Sequence, residues 1–289
     1  MCTKQYHIGG RDIILRPGPM VLLQDPAMEL FRTEGELTSD PIVMEAEVAD
    51  LSFLKQWETS VYTGGYELRH GQGRTFLLVH WMTQRFAYGV FLDELHGTAP
   101  LKIYCNTEAL SDLRLRPMHV LGSVGMHHRL QQGGSGVLHA AYVEYKGKAI
   151  LFAAPSQVGK STQARLWQQF AGAEIINGDR AMVFPVGKQW HAGGYISCGS
   201  SAICRNVTRP LAAIVLLEQG KENRLRLATE KERIHSLFAG LETFHWDPAD
   251  IDLALSLAEK LGKQIPVLHY SCRPDEDAVR TLQEYLEAN

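Results

Sequence analysis

Apolar and polar positions change rhythm near residue 130. Up to that point apolar residues come in short runs broken by turns: Ile13 to Leu15, Met20 to Leu23, Ile42 to Val48, Thr75 to His80 and Ala87 to Leu92. Several of these alternate apolar with polar residues, the pattern of strands in a half-exposed antiparallel sheet. A glycine cluster, Gly133, Gly134 and Gly136, marks a join. Beyond it, strand and helix patterns alternate, which predicts an α/β domain. Val137 to Val143 and Ala149 to Ala153 read as neighbouring strands around a turn at Lys146, Gly147 and Lys148. A helix is expected from Lys160 to Ala171, then a strand from Glu174 to Asn177. Met182 to Val186 and Gln189 to Ala192 predict a hairpin across Gly187 and Lys188, and Ala212 to Leu217 a fully buried strand. Helices are expected over Thr229 to Gly240 and Pro248 to Leu261, with a strand from Pro266 to Tyr270. Pro274, Asp275, Glu276 and Asp277 then open a last helix, with proline in its first turn and carboxylates at the positive end of its dipole. The organisation expected is a β-rich accessory region over 1–130, which packs on the second domain or helps shape its substrate cleft, and an α/β domain over 131–289. No internal repeat and no low-complexity segment interrupts it.

The richest stretch for chemistry is Ala154-Pro155-Ser156-Gln157-Val158-Gly159-Lys160-Ser161-Thr162. It nearly matches the phosphate-binding pattern G-x-x-x-x-G-K-[ST], with Ala154 at the first glycine position. An apolar run leads in and a helical run leads out, so strand, loop and helix follow in the order the chemistry requires. Successive backbone N–H groups and a helix N-terminus then face one anion. Residues Pro155, Ser156, Gln157, Val158, Gly159, Lys160, Ser161 and Thr162 are the expected nucleotide-binding set. Lys160 reaches the outer phosphates and the Ser161 hydroxyl holds Mg²⁺. This pattern points to a nucleoside triphosphate, ATP with Mg²⁺, as ligand.

Composition narrows the partners. The 289 residues are 45% hydrophobic and 21% charged with a formal net charge of −3, as in a soluble protein with a proper core. Basic residues are scattered among acidic ones, so no basic face suggests nucleic acid. No apolar run approaches a membrane span, and the N-terminus lacks the apolar core of a signal peptide. Five cysteines (Cys2, Cys105, Cys198, Cys204, Cys272) form no C-x-x-C pair and read as reduced thiols, which with the rest predicts a cytoplasmic protein. Cys198 and Cys204 sharing a metal with a histidine is the alternative; small buried thiols are the expectation.

A phosphate loop alone serves switches, motors and kinases alike. Asp179, inside Asn177-Gly178-Asp179-Arg180 at the end of an apolar run, stands where ligands collect in open α/β sheets. It is a candidate for the metal and for accepting the proton of an attacking hydroxyl, set against a plain turn aspartate, since Asn-Gly-Asp is good turn sequence. His139, on the strand before the loop-feeding strand, is a candidate to tune Asp179, set against a core histidine. Arg205, after a Gly/Ser segment, is the candidate for transition-state charge, with Arg180 its competitor. His127 and His128 face opposite sides of any strand and read as structural. Trp167, Trp190, Trp246 and Met182 read as core and cleft lining.

The stretch from His139 to Thr162 resembles the nucleotide-binding core of the HPr kinase/phosphorylase and phosphoenolpyruvate carboxykinase superfamily. More closely, the chain looks like the HPr-kinase-like proteins found near peptide-modification genes. It shares with them Gly199-Ser200-Ser201-Ala202-Ile203-Cys204-Arg205-Asn206 and Leu216-Leu217-Glu218-Gln219. The resemblance covers about 120–289. It implies an α/β P-loop domain of that type, with a β-rich N-terminal region, and an ATP- and Mg²⁺-dependent kinase. Such an enzyme phosphorylates a hydroxyl of a peptide, a protein or a small molecule. Catalytic residues would be Asp179, His139, Lys160 and Arg205, and metal ligands Ser161 and Asp179. It also leaves a homo-oligomer open. The chain departs from the family: Ala154 and Gln157 replace loop glycines, and Gly178 replaces the first of two aspartates. The docking signature of true HPr kinases is absent. A non-catalytic nucleotide-binding partner or scaffold of a peptide-modification system is the alternative class, and an unused loop a third.

Overall fold

The computed structural model describes residues 3–37, 40–63, 66–79, 88–106, 114–115, 121 and 124–288. The chain divides into two compact units, Met1–His7 with Arg11–Arg129, and Ile8–Gly10 with Leu130–Asn289. His80 and Ala87, the ends of two expected strands, lie outside the described residues.

The first unit is built on a sheet that is mixed, not antiparallel as the sequence suggests. Strands Glu58–Thr63, Tyr66–Gly71, Arg74–Val79 and Tyr88–Phe91 form an antiparallel meander that passes to Leu101–Asn106. Arg11–Arg16, Ile42–Ala49 and Leu101–Asn106 then run parallel to one another. Alternation reports which face of a strand is wet. It carries no information on the direction of the neighbour, which long connections leave free. His127 and His128 lie on a helix, Met126–Gln132, not a strand.

The second unit is a sheet with helices on both faces. Glu174–Asn177, Ala140–Tyr145, Lys148–Ala153, Thr208–Gln219, Val267–Cys272 and Arg224–Leu227 lie side by side. Lys148–Ala153, Thr208–Gln219 and Val267–Cys272 are mutually parallel, which puts the ends from which ligand-binding loops emerge at one edge. Both central strands are buried on both faces. Leu151, Ile214 and Leu216 pack with Leu237, Leu257 and Leu261 of helices Glu230–Gly240 and Pro248–Gln264. Phe152, Val215 and Leu217 pack on the other face with Trp167, Val279 and Leu282 of helices Lys160–Ala171 and Glu276–Ala288. The buried strand, the hairpin Ala181–Val186 and Gln189–Gly193, and these four helices follow the sequence pattern, except that the last helix opens at Glu276 with Asp275 accepting from the Ala278 N–H at 3.0 Å, so Pro274 precedes its first turn. Trp167, Trp190 and Met182 are buried, and Trp246 stacks on Phe244. Among the described residues no helix is long and apolar enough to cross a membrane.

One expected strand is broken. Val137 to Val143 divides at His139 into Gly136–Leu138, which pairs with Ala181–Val186, and Ala140–Tyr145, which pairs with Lys148–Ala153. At the break the His139 N–H donates to Gly240 O at 2.7 Å, and the Glu242 N–H donates to Val137 O at 2.9 Å. The chain changes partner there, and the histidine leaves the ladder.

Candidate active site

Lys148–Ala153 feeds the loop, and helix Lys160–Ala171 leaves it. The helix opens on Gly159 at φ 127° with no side-chain cap, so its first-turn N–H groups are free for an anion. It is anchored behind by Ala164 and Trp167 in the core and closed by Gly172 in the left-handed conformation. Gln157 also takes a left-handed φ of 68°, whereas Ala154 is not among the positive-φ residues. Of the two replaced glycines, therefore, one sits where the backbone favours glycine. Holding a non-glycine residue there costs about 1–2 kcal/mol. Gln219 steadies this stretch: its amide donates to Gln157 O at 3.4 Å and Val158 O at 3.3 Å. The Leu-Glu-Gln motif thus acts on the loop itself, which nothing in its spacing reveals.

Lys160 is only 8% exposed and donates through Nζ to Ala154 O at 2.9 Å, inside its own loop. Burial pulls its pKa below the ordinary lysine value, against the opposing pull of Asp179. The Ser161 and Thr162 side chains are exposed beside it.

Asp179 is delivered by an Asx turn. Asn177 is fully buried, and its Oδ1 accepts from the Asp179 N–H at 2.9 Å and the Arg180 N–H at 3.0 Å. Its amide nitrogen donates to the carbonyls of Tyr195 and Ser197, both at 3.0 Å. Asn-Gly-Asp is good turn sequence, and here the turn aims the carboxylate: the two readings of that sequence are compatible. Asp179 Oδ1 lies 2.8 Å from His139 Nε2, and Oδ2 accepts from Arg180 Nη1 at 3.0 Å. The hydrogen bond from His139 above all, with the charges of His139, Arg180 and Lys160, holds the carboxyl below its ordinary range against the effect of burial. Arg180 is itself held by Ser197 Oγ at 2.8 Å and Glu242 Oε1 at 2.5 Å.

Arg205 does not join this group. Its guanidinium is ion-paired with Glu174, at the opposite end of the strand that delivers Asp179, while its N–H bonds Ile176 O at 3.1 Å. The guanidinium at Asp179 is that of Arg180, the nearer residue in sequence. The physical reason is local. Asn177 forms a bridge with Cys204, so Arg205 falls back along the strand.

The Gly/Ser segment covers the site. At Gly199, with φ 56°, an added Cβ would stand 2.8 Å from Asp179 Cγ, and at Gly178 it would stand 2.4 Å from Ser201 Oγ. Ser201 therefore occupies the space that a side chain at 178 would need. Cys198 and Cys204 gather no third ligand among the described residues; burial, then Asp179, pushes the Cys198 thiol up.

The donor set suits a nucleotide and a hard cation. Open N–H groups stand at the helix mouth with the Lys160 ammonium inside the loop behind them, and oxygen donors are present in Ser161 and Asp179, whose carboxylate oxygens each keep a lone pair beyond the bonds described. His139, Lys160 and Asp179 come together with the 154–162 loop; Arg205 stays apart.

No family model matches this chain, and no curated protein matches it. Among solved structures, it is similar to the Hpr(Ser) kinase/phosphatase from Coxiella burnetii, at 12% identity and a TM-score of 0.30. That match covers 53% of this chain and 93% of the other.

Proposed function

We propose that the second unit is an ATP- and Mg²⁺-dependent phosphotransferase of the HPr-kinase-like P-loop type, acting on a hydroxyl. The observation that carries this reading is the meeting of Lys160, Asp179 and His139 at the mouth of an uncapped helix. The backbone of 155–162 and Lys160 hold the phosphates, and Ser161 and Asp179 hold the ion. When bound, the ion neutralises charge on the transferring group. His139 and Arg180 fix the Asp179 carboxylate and keep it ionised, ready to take the proton of the acceptor hydroxyl. A carboxylate so stabilised is a weak base. Its contribution is placement of the hydroxyl as much as proton affinity, as phosphoryl transfer requires.

A second reading, a non-catalytic nucleotide-binding partner or scaffold, is favoured by one feature: both oxygens of Asp179 are already engaged within the protein. Calorimetric titration of ATP·Mg²⁺ into the wild type and Lys160→Ala separates the outcomes. Micromolar binding that the variant loses is expected, and no binding to the wild type overturns both readings. Binding without consumption in the presence of hydroxyl acceptors favours the scaffold.

A further inference from the structure

Two cavities flank the 154–162 loop, on opposite faces of the sheet. One, of about 440 Å³, lies on the face of the loop helix and touches Gln157, Gly159, Thr162 and Arg273. The other, of about 460 Å³, lies under helix Glu230–Gly240 and touches His139, Pro155, Leu216, Ser236 and Ala239. Both are the size of small-molecule sites. Resting on the phosphotransferase reading, we propose that the second cavity binds the acceptor, and that the acceptor is a small neutral compound carrying its hydroxyl on an apolar body.

The two cavities differ in what they offer. The first adjoins the helix-opening end of the loop, where the phosphates enter, and its wall sets Gln157, Thr162, Gln163, Glu218 and Arg273 among apolar surface from Val158 and Leu217. That suits the nucleoside end of a nucleotide. The second adjoins the start of the loop and contains His139, which holds Asp179. A hydroxyl resting there is on the Asp179 side of the phosphates. Its floor is aliphatic, from Ala153, Leu216 and Leu217, and Ala239 faces it from the helix. Of its titratable groups, Glu232 is held by Arg226 at 2.8 Å and caps its helix through Thr229, His139 bonds Asp179, and His269 stands 3.4 Å from Glu218; His235 lines it as well. Among the described residues no lysine or arginine lines it. An anionic sugar phosphate or amino acid would find no permanent cation there, only imidazoles, two of which already face carboxylates, and a polyol would bury hydroxyls against an aliphatic floor. The apolar body is what such a wall rewards.

The test uses the full chain, with saturation-transfer NMR on benzyl alcohol and on glycerol, and ATP·Mg²⁺ titrated in parallel. Benzyl alcohol is expected to receive saturation and glycerol not. Ser236→Trp, which fills the cavity from the helix, is expected to lower the benzyl alcohol signal about tenfold, the order of effect of steric exclusion from an apolar pocket. Ala239→Phe does the same from the next turn and guards against a folding failure in the first variant. ATP affinity in both variants stays within about twofold, well under the tenfold that 1.4 kcal/mol represents. The proposal falls if the signal is unchanged in both variants, if glycerol matches benzyl alcohol, or if the wild type shows no signal. It also falls if either variant loses ATP, because the cavity then holds the nucleoside. Absence of ATP binding to the wild type sinks the phosphotransferase reading instead, and the alcohol signal still decides the ligand class of the cavity.

Discussion

Gly199 stands against the carboxylate of Asp179, so close that a methyl carbon at 199 would lie 2.8 Å from Asp179 Cγ. The backbone there is left-handed at φ 56°, so a side chain is opposed twice, by the backbone and by the carboxylate. Gly199→Ala is expected to cost about 1–3 kcal/mol and to displace Asp179 from His139. ATP affinity should survive, because the loop is untouched, while transfer to the acceptor falls. Equal activity in the variant would show that the segment does not position Asp179.

Asp179→Asn keeps the shape of the side chain and removes its charge. If Asp179 places and deprotonates the acceptor, turnover is expected to fall by about 10³ or more while ATP still binds. Arg180→Ala, which frees Oδ2, should lower turnover less, and Arg205→Ala should leave it unchanged, since Arg205 is paired with Glu174. Single-turnover assays on the three variants rank these roles. A loss in Arg205→Ala as large as that in Asp179→Asn would contradict the geometry.

The same carboxylate makes stability depend on pH. Its folded pKa is lowered from 3.8, chiefly by the hydrogen bond from His139, so the stabilisation is complete above that value and is lost as pH falls below it. Urea melts of wild type and Asp179→Asn should differ most near neutrality and converge below about pH 4. A difference that grows on acidification would reverse the sign and refute the assignment.

How much of this is legible in the sequence depends on what pattern encodes. Helix Lys160–Ala171 and strand Glu174–Asn177 lie where periodicity and composition put them, because both bury a continuous apolar face against one core. The break at His139 was not legible. Val137 to Val143 is apolar throughout, and nothing local says that its first residues pair with one strand and its last with another. Arg205 misled for a similar reason. Its place after the Gly/Ser segment suggested the site, but the bridge between Asn177 and Cys204 turns it toward Glu174. Asn177 carried a signal, the Asx-turn sequence, whereas Gln219 and Glu242 reach the site only through tertiary contacts. In the first unit, strand spacing was legible and strand direction was not.

Gln157 invites a stabilising substitution. At φ 68° glycine pays no steric cost, so Gln157→Gly is expected to raise stability by up to about 1 kcal/mol, the left-handed strain less the flexibility glycine adds to the unfolded chain. Its carbonyl, which accepts from Gln219, is unchanged. Thermal melts of the apo protein read the effect directly. A loss of stability would mean that the glutamine side chain does more for the loop than its backbone costs.

Placing a second carboxylate at 178, beside Asp179, tests whether Ser201 is what excludes one there. A Cβ at 178 would stand 2.4 Å from Ser201 Oγ, and that hydroxyl is also fixed to Cys198 O at 2.7 Å. Gly178→Asp alone is therefore expected to destabilise the protein by about 1–3 kcal/mol through overpacking. Ser201→Gly alone removes a hydroxyl from the cover and should cost about 1 kcal/mol for the lost hydrogen bond. Combined, the two should couple favourably by about 1 kcal/mol or more, because the glycine opens the space that the aspartate needs. With a second carboxylate beside Asp179, the double variant should also bind Mg²⁺ more tightly in the presence of ATP. Urea melts of the four proteins close the cycle. Strictly additive costs would show that Ser201 does not exclude the aspartate, and the cause of Gly178 would then lie elsewhere in the Asn177 turn.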